Sequence, residues 1–379
     1  MKILMVLTYY YPHWTGLTAY AGRLAEGLAA RGHRVTVLTA RHAPDLPAQE
    51  QLNGVEVIRL RPLFRLSRGQ VMPGFVGAVQ ALVREHDVVQ VHTPMLETAL
   101  VGALAHRAGR KMVMTHHGDL TMPAGPWNQF VQLTVGGLQN LGARSADVIT
   151  THSQDYADHS EYLRPYLAKT RAIYPTFSFP CPDRESALAW RDALGLTNAP
   201  LVGFAGRFVE EKGFDYLLRA IPLVRARMPE VRLLYAGDTR VVYERFYERC
   251  RPLVEAERAH IIEVGLIRDP QRMADFYAMC DLVALPSRTD CFPSVQVEAI
   301  LSGTPVVTTD IPGAREVVRV TGMGRLVMPR SPEALAEGIL ETLNNREAYC
   351  QPEESIRRIF SPEASIGAYE SLLAGLVAG

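Results

Sequence analysis

The sequence predicts an α/β protein built from two doubly wound, Rossmann-like domains. Three observations carry this. Short apolar runs at 3–7, 35–39, 88–92, 111–115 and 148–151 are interleaved with stretches of helical apolar spacing, notably 17–30 and 98–108. This is the βαβ alternation that builds parallel sheets covered on both faces. After a proline-rich stretch at 177–183 the same alternation starts again at 201–205. The chain has 379 residues, enough for two domains that each bury a core.

Bulk properties exclude several function classes. Apolar residues make up 47% and charged residues 21%, as in a globular chain, and no apolar run reaches membrane-spanning length. The formal net charge is zero, which argues against nucleic acid as the main partner. Residues 1–175 carry an excess of five positive charges and the remainder an equal negative excess. A basic first half suits an anionic lipid or phosphate; an ordinary solvated surface is the alternative. The five cysteines are scattered, with no Cys-x-x-Cys pair, which implies a reduced, cytoplasmic protein. Cys291 is read as packing rather than as a nucleophile. The N-terminus runs from a strand straight into a turn, without the pattern of a signal peptide.

The first domain opens with a strand at 3–7, an aromatic loop at 9–16, a helix at 17–30 and a strand at 35–39. Gly16 falls where the helix begins, and without a Cβ its backbone can approach a phosphate closely; a plain turn glycine is the alternative. No Gly-x-Gly-x-x-Gly follows the strand, which argues against a nicotinamide dehydrogenase. A third strand is expected at 54–60. From Arg59 to Phe75 basic and apolar residues alternate, a pattern that fits Phe64, Leu66 and Phe75 in a lipid interface with arginines on headgroup phosphates. Arginines on a loop rim are the commoner alternative. Strands at 88–92 and 111–115 end in His92 and in His116-His117-Gly118-Asp119. The carboxyl end of a parallel strand faces the ligand crevice, where an imidazole can bond a sugar hydroxyl or take a proton. Adjacent histidines on a strand point to opposite sides, which argues against chelation of one metal by both. Ser153 is expected to cap a helix after the strand at 148–151.

In the second domain, the strand at 201–205 leads through Gly206-Arg207 to Lys212-Gly213 and a helix running to about 228. Two cations flanking a strand–helix turn suit a diphosphate. Strands follow at 231–236 and 261–265, and a helix at 273–279. The strand at 281–285 then breaks at Pro286, and Ser294 is expected to cap a helix at 295–301 that Gly303 ends. Asp290 in the loop and Glu298 one turn into the helix frame this unit. Ionised carboxylates beside a helix N-terminus can accept paired hydrogen bonds from sugar hydroxyls. A strand at 304–307, a helix at 314–319, a strand at 323–327 and helices at 331–343 and 355–378 complete the chain.

The run from Asp290 through Phe292, Val295 and Glu298 to Gly303-Thr304-Pro305-Val306-Val307 resembles the donor-sugar motif of the retaining glycosyltransferases of family 4. Asp290 stands where that family usually has Glu, Pro293 where it has Gly, and Gly16-Leu17 where it has Gly-Gly. Gly206-Arg207 with Lys212-Gly213 is similar to its diphosphate motif, and Thr115-His116-His117-Gly118-Asp119 to its acceptor-side histidine motif. The resemblance implies the GT-B fold: two Rossmann-like domains facing across a cleft, with a C-terminal helix crossing back to the first. Boundaries follow at 1–175 for the acceptor-side domain, 176–184 for the linker, 185–355 for the nucleotide-sugar domain and 356–379 for the returning helix. It also implies retaining transfer of a hexosyl unit from a nucleotide-diphospho-sugar to a glycan, lipid-linked or small-molecule acceptor. The sequence has no Asp-x-Asp metal motif, so the cations Arg207 and Lys212 are expected to replace a metal, and no cofactor is expected.

The implied roles are specific. Arg207 and Lys212 stabilise the departing diphosphate. Asp290 and the backbone of Phe292, Pro293, Ser294 and Val295 hold the hexose. Glu298 accepts the ribose hydroxyls, Ile267 lies against the base, and Gly16 brings an amide to the β-phosphate. His117 contacts sugar or acceptor, Asp119 orients that imidazole or binds the acceptor, and His92 lines the same crevice. Some relatives modify lipid acceptors through a basic surface, which would place the chain peripherally at the inner membrane face. The rivals are a nucleotide-sugar-binding protein without transfer and a nucleotide-sugar epimerase.

Overall fold

A computed structural model describes residues 1–66, 69–119, 126–239, 241 and 244–379. The chain forms two units, Met1–Thr176 with Ser361–Gly379, and Phe177–Phe360.

In the first unit the strands are β1 (Lys2–Val6), β2 (Arg34–Ala40), β3 (Gln49–Leu52), β4 (Val55–Leu60), a hairpin of β5 (Phe64–Leu66) and β6 (Gly69–Val71), β7 (Val88–Thr93), β8 (Lys111–His116), β9 (Val148–Thr151) and β10 (Thr170–Ala172). The helices are α1 (Gly16–Ala30), α2 (Phe75–Glu85), α3 (Thr98–Arg107), α4 (Pro126–Ser145) and α5 (Gln154–His159), with the C-terminal helix Pro362–Ala378. The sheet order is β10-β9-β8-β7-β1-β2-β4-β3, parallel except for β3. Its inner strands are buried on both faces, hence the unbroken apolar runs. Thr15 and Thr18 cap α1 reciprocally. Leu24, Ala25 and Leu28 of α1 join Ile3, Met5, Tyr369 and Leu373 in one core. A Cβ on Gly27 would lie 2.3 Å from Ile366 Cδ1, so glycine lets the C-terminal helix approach α1 closely. Arg31 and His33 fasten that helix through Glu370, each at 2.7 Å. Among the described residues no helix is long and apolar enough to cross a membrane.

The second unit contains α6 (Arg184–Ala193), β11 (Leu201–Ala205), α7 (Phe214–Arg225), β12 (Arg232–Ala236), α8 (Phe246–Ala256), β13 (Ile261–Gly265), α9 (Pro270–Met279), β14 (Leu282–Leu285), α10 (Ser294–Leu301), β15 (Val306–Thr309), α11 (Glu316–Thr321), β16 (Gly324–Val327), α12 (Pro332–Asn344) and α13 (Glu353–Ile359). Its parallel sheet runs β13-β12-β11-β14-β15-β16. The order reverses between β11 and β14, and the carboxyl ends of two such strands open a crevice suited to a ligand.

Several expectations change. The linker expected at 176–184 is largely part of the second unit: Phe177 and Phe179 are buried, Phe177 against Phe292 and Phe360. The chain re-enters the first unit at Ser361 rather than 356. Phe75 starts a helix and is buried, because its ring belongs to an amphipathic face the sequence reading missed. Arg59 is buried too, paired with Glu50 and donating to the Tyr11 carbonyl at 2.8 Å. Neither can meet a lipid. Leu63 and Phe64 remain exposed. Arg68 and the Leu66 side chain lie outside the described residues.

Candidate active site

In the second unit, the turn after β11 and the loop after β14 are locked together. Gly213, with φ +67°, begins α7, and a Cβ there would sit 1.9 Å from the Pro286 carbonyl oxygen. The Arg288 amide donates to the Glu211 carbonyl at 2.7 Å. Its guanidinium donates to the Glu210 carbonyl at 2.6 Å and to both oxygens of buried Asp215 at 2.8 and 2.9 Å. Asp290 bridges Gly313 through the backbone. Gly313 has φ +80°, and a Cβ there would lie 2.4 Å from the Cys291 carbonyl oxygen. This scaffold holds Lys212 Nζ 2.5 Å from Asp290 Oδ2. Burial acts to lower the Lys212 pKa, but the charges of Asp290 and Glu211 and the Asp290 hydrogen bond outweigh it and raise it. Lys212 is therefore a fixed cation at neutral pH.

Arg207 is half exposed and lies 3.4 Å from Glu211. Its charge is felt at Lys212, so the two cations do share the turn. The helix α10 begins at Ser294 itself, with Pro293 in the cap position and no side-chain cap. Ser294 is thus not the cap the sequence suggested, and the residue in the cap position makes no side-chain hydrogen bond to the first amides of this helix. Such an end attracts an anion or an ether or hydroxyl oxygen. Glu298 accepts from the buried Tyr277 hydroxyl at 3.0 Å. Phe292 is buried and Ile267 half-buried between β13 and α9. Burial and the Asp290 charge push the Cys291 thiol up to about 12, as expected of an inert packing residue.

In the first unit the order reverses between β1 and β7. Gly16 lies at that edge, and a Cβ on it would meet no protein atom within 4 Å. His92, Thr115 and Thr150 are partners in register across β7, β8 and β9. Two residues further on, His117 and His152 return to the same face. His92 Nδ1 lies 3.0 Å from His117 Nε2, and His117 Nδ1 lies 3.1 Å from His152 Nε2. Burial pushes His92 and His152 down to about 3. Burial and the neighbouring imidazoles lower His117 as well, so the row is neutral.

His116 points the opposite way, stacked on Tyr162 and bonded to Asp119 Oδ1 at 2.9 Å. Asp119 also accepts from Ser160 Oγ at 2.7 Å. Burial alone would raise its pKa, but these bonds keep its carboxyl below the ordinary range. Asp119 therefore orients His116, not His117 as expected, because strand alternation puts the two rings on opposite sides. Sequence reasoning missed His152, Arg288 and Asp215. Register across three strands reveals the first, and nothing local marks a lone loop arginine.

Residues 15–175 match the family profile described as glycosyl transferase 4-like domain, and residues 199–345 the one described as glycosyl transferases group 1. The D-inositol 3-phosphate glycosyltransferase of Rhodococcus erythropolis is 30% identical, over 86% of this chain and 78% of its own. The chain belongs to the group 1 glycosyltransferases of family 4. The GDP-mannose-dependent alpha-(1-6)-phosphatidylinositol monomannoside mannosyltransferase of Mycolicibacterium smegmatis is 26% identical, covering 90% of this chain and 89% of its own. Among solved structures, sucrose-phosphate synthase from Thermosynechococcus elongatus superposes with a TM-score of 0.81 at 24% identity, over 100% of this chain and 99% of that one. This last likeness shows the GT-B fold of the glycosyltransferase.

Proposed function

We propose that this glycosyltransferase transfers a hexosyl unit, with retention of configuration, from a nucleotide-diphospho-sugar to a hydroxyl of a glycan, lipid-linked or small-molecule acceptor. The observation that supports it most is the Lys212–Asp290 pair at 2.5 Å, held at the reversal of a Rossmann sheet beside the uncapped start of α10. Lys212 and Arg207 neutralise the diphosphate as charge develops on it. Asp290 and the backbone from Phe292 to Val295 hold the hexose, Glu298 the ribose and Ile267 the base. In the first unit, Gly16 offers an uncrowded amide to a phosphate, and His117 a neutral imidazole to a hydroxyl.

In the retaining step the acceptor oxygen bonds to the anomeric carbon on the face the phosphate leaves. The anomeric carbon–phosphate oxygen bond breaks, and the acceptor proton passes to the leaving phosphate. The products are a glycoside and a nucleoside diphosphate. Cations of the protein supply the charge that a metal would otherwise supply, so EDTA is expected to leave the rate unchanged. The names of the relatives, an inositol phosphate and a phosphatidylinositol mannoside transferase, favour a phosphorylated polyol or its lipid as acceptor. Exposed Leu63 and Phe64 would then touch a membrane surface, with exposed Arg61 beside them. The five free cysteines fit a reducing, cytoplasmic setting.

Thermal shift against UDP-, GDP- and ADP-sugars tests the donor site, since a ligand of the native state raises Tm by mass action. One nucleotide sugar should stabilise the protein and be turned over with an α-configured donor giving an α-configured product. Stabilisation without turnover would favour binding alone, isomerised donor would favour an epimerase, and no shift with any sugar would remove the assigned donor site.

A further inference from the structure

The row of three imidazoles has a property that no single histidine has. His92 is 1% exposed and His152 4%, while His117 between them is only partly buried. Tyr20 packs against all three at steep interplanar angles, with ring centroids 5.9, 4.9 and 4.9 Å from His92, His117 and His152. Tyr20 is itself pinned: its hydroxyl lies 2.5 Å from that of Tyr369, which donates to Thr150 Oγ1 at 3.0 Å. The rings therefore cannot turn independently.

Each nitrogen–nitrogen contact needs one proton, and each neutral imidazole carries one. If His92 donates from Nδ1, His117 accepts at Nε2 and must carry its proton on Nδ1. His152 then accepts at Nε2 and carries its own proton on Nδ1. Reversing the direction puts all three protons on Nε2. Any mixed assignment of neutral rings leaves one contact with two protons or with none. We infer that His92, His117 and His152 form a single tautomeric relay, in which His92 and His152 are positioning residues that fix the ring and the tautomer of His117. Its functional consequence rests on the reading of His117 as a ligand-facing residue of the glycosyltransferase. A hydroxyl engaging the row at one point selects donor or acceptor character for every member, so specificity at His117 is set partly from β7 and from the residue after β9.

Long-range proton–nitrogen spectra of the full-length protein labelled in histidine nitrogen test this directly. The parent protein should show these three rings neutral at pH 7.5 and all in one tautomer, assigned with His92→Gln and His152→Gln. Two different tautomers among the three would overturn the relay, and this reading needs no variant that folds poorly. His152→Leu should give His117 a mixture of tautomers and lower kcat about tenfold with the substrate KM less affected. His152→Gln, which keeps a polar atom where Nε2 stood, should restore most of both. A His117 spectrum unchanged in the Leu variant would also overturn the proposal. A parent protein that turns over no nucleotide sugar would remove the glycosyl-transfer reading while the spectra still decide the relay.

Discussion

The two crevices solve opposite electrostatic problems. In the second unit, Lys212 keeps its charge, and the surroundings are arranged to hold it against Asp290: Gly213 against Pro286, Arg288 on Asp215, Gly313 under Asp290. In the first unit, burial keeps His92 and His152 neutral, and the row they form with His117 shares protons instead. A buried charge must be paired, whereas a buried imidazole can shed its charge at small cost near neutral pH. The charged site needs a rigid scaffold; the neutral one needs register and a wedge.

Breaking the charged site should have the largest effect. Lys212→Ala removes the fixed cation and leaves Asp290 unpaired, and turnover measured with the identified donor should fall by about a hundred- to a thousandfold. Near-normal turnover would remove Lys212 from the chemistry. The scaffold comes next. Gly213→Ala forces a Cβ into the Pro286 carbonyl at a left-handed φ, which should cost about 1–3 kcal/mol and lower Tm by several degrees. An unchanged melting curve would mean that the loop after β14 gives way without loss.

The neutral site is probed by acid. The folded pKa values of His92 and His152 lie below the ordinary 6.5, so the unfolded chain binds more protons in that window. Stability from these rings is present above the unfolded value and is lost as pH falls from there toward about 3. Melts at stepped pH should show Tm falling between about pH 7 and pH 5, before carboxylates protonate; a flat Tm there would contradict neutral burial. The smallest structural effect is at Gly16→Ala, which meets no protein atom. Its stability should stay within about 0.5 kcal/mol of the parent, while turnover drops about tenfold where a phosphate approaches that backbone. Unchanged turnover would leave Gly16 as an ordinary turn residue.

Much of this was legible in the sequence because it is local. Apolar runs bounded by Gly, Pro and Ser marked most strands of both sheets, though not the polar edge strand β3, and Gly206-Arg207, Lys212-Gly213, Asp290 and Glu298 carried their spacing with them. The helices α2, α4, α6 and α8 escaped notice: α6 and α8 mix apolar with charged residues, and α2 and α4 follow stretches that read as loops. The lipid reading of Arg59 and Phe75 failed for a related reason: alternation of basic and apolar residues is the same whether a side chain faces a membrane or its own core. Whether Ser294 capped α10 or began it also depended on backbone geometry that composition does not encode.

By itself, then, the sequence determined the two Rossmann-like units and the residue types at the carboxyl ends of their strands. Only the tertiary structure decided which of those residues meet. It paired Lys212 with Asp290 from 78 residues away. It gave Asp119 to His116, and it added His152 to the row of His92 and His117. The Asp119–His116 pair follows from local strand alternation, but the other contacts arise from the register of parallel strands joined by long crossovers, and a register that links distant segments leaves no periodic trace along the chain.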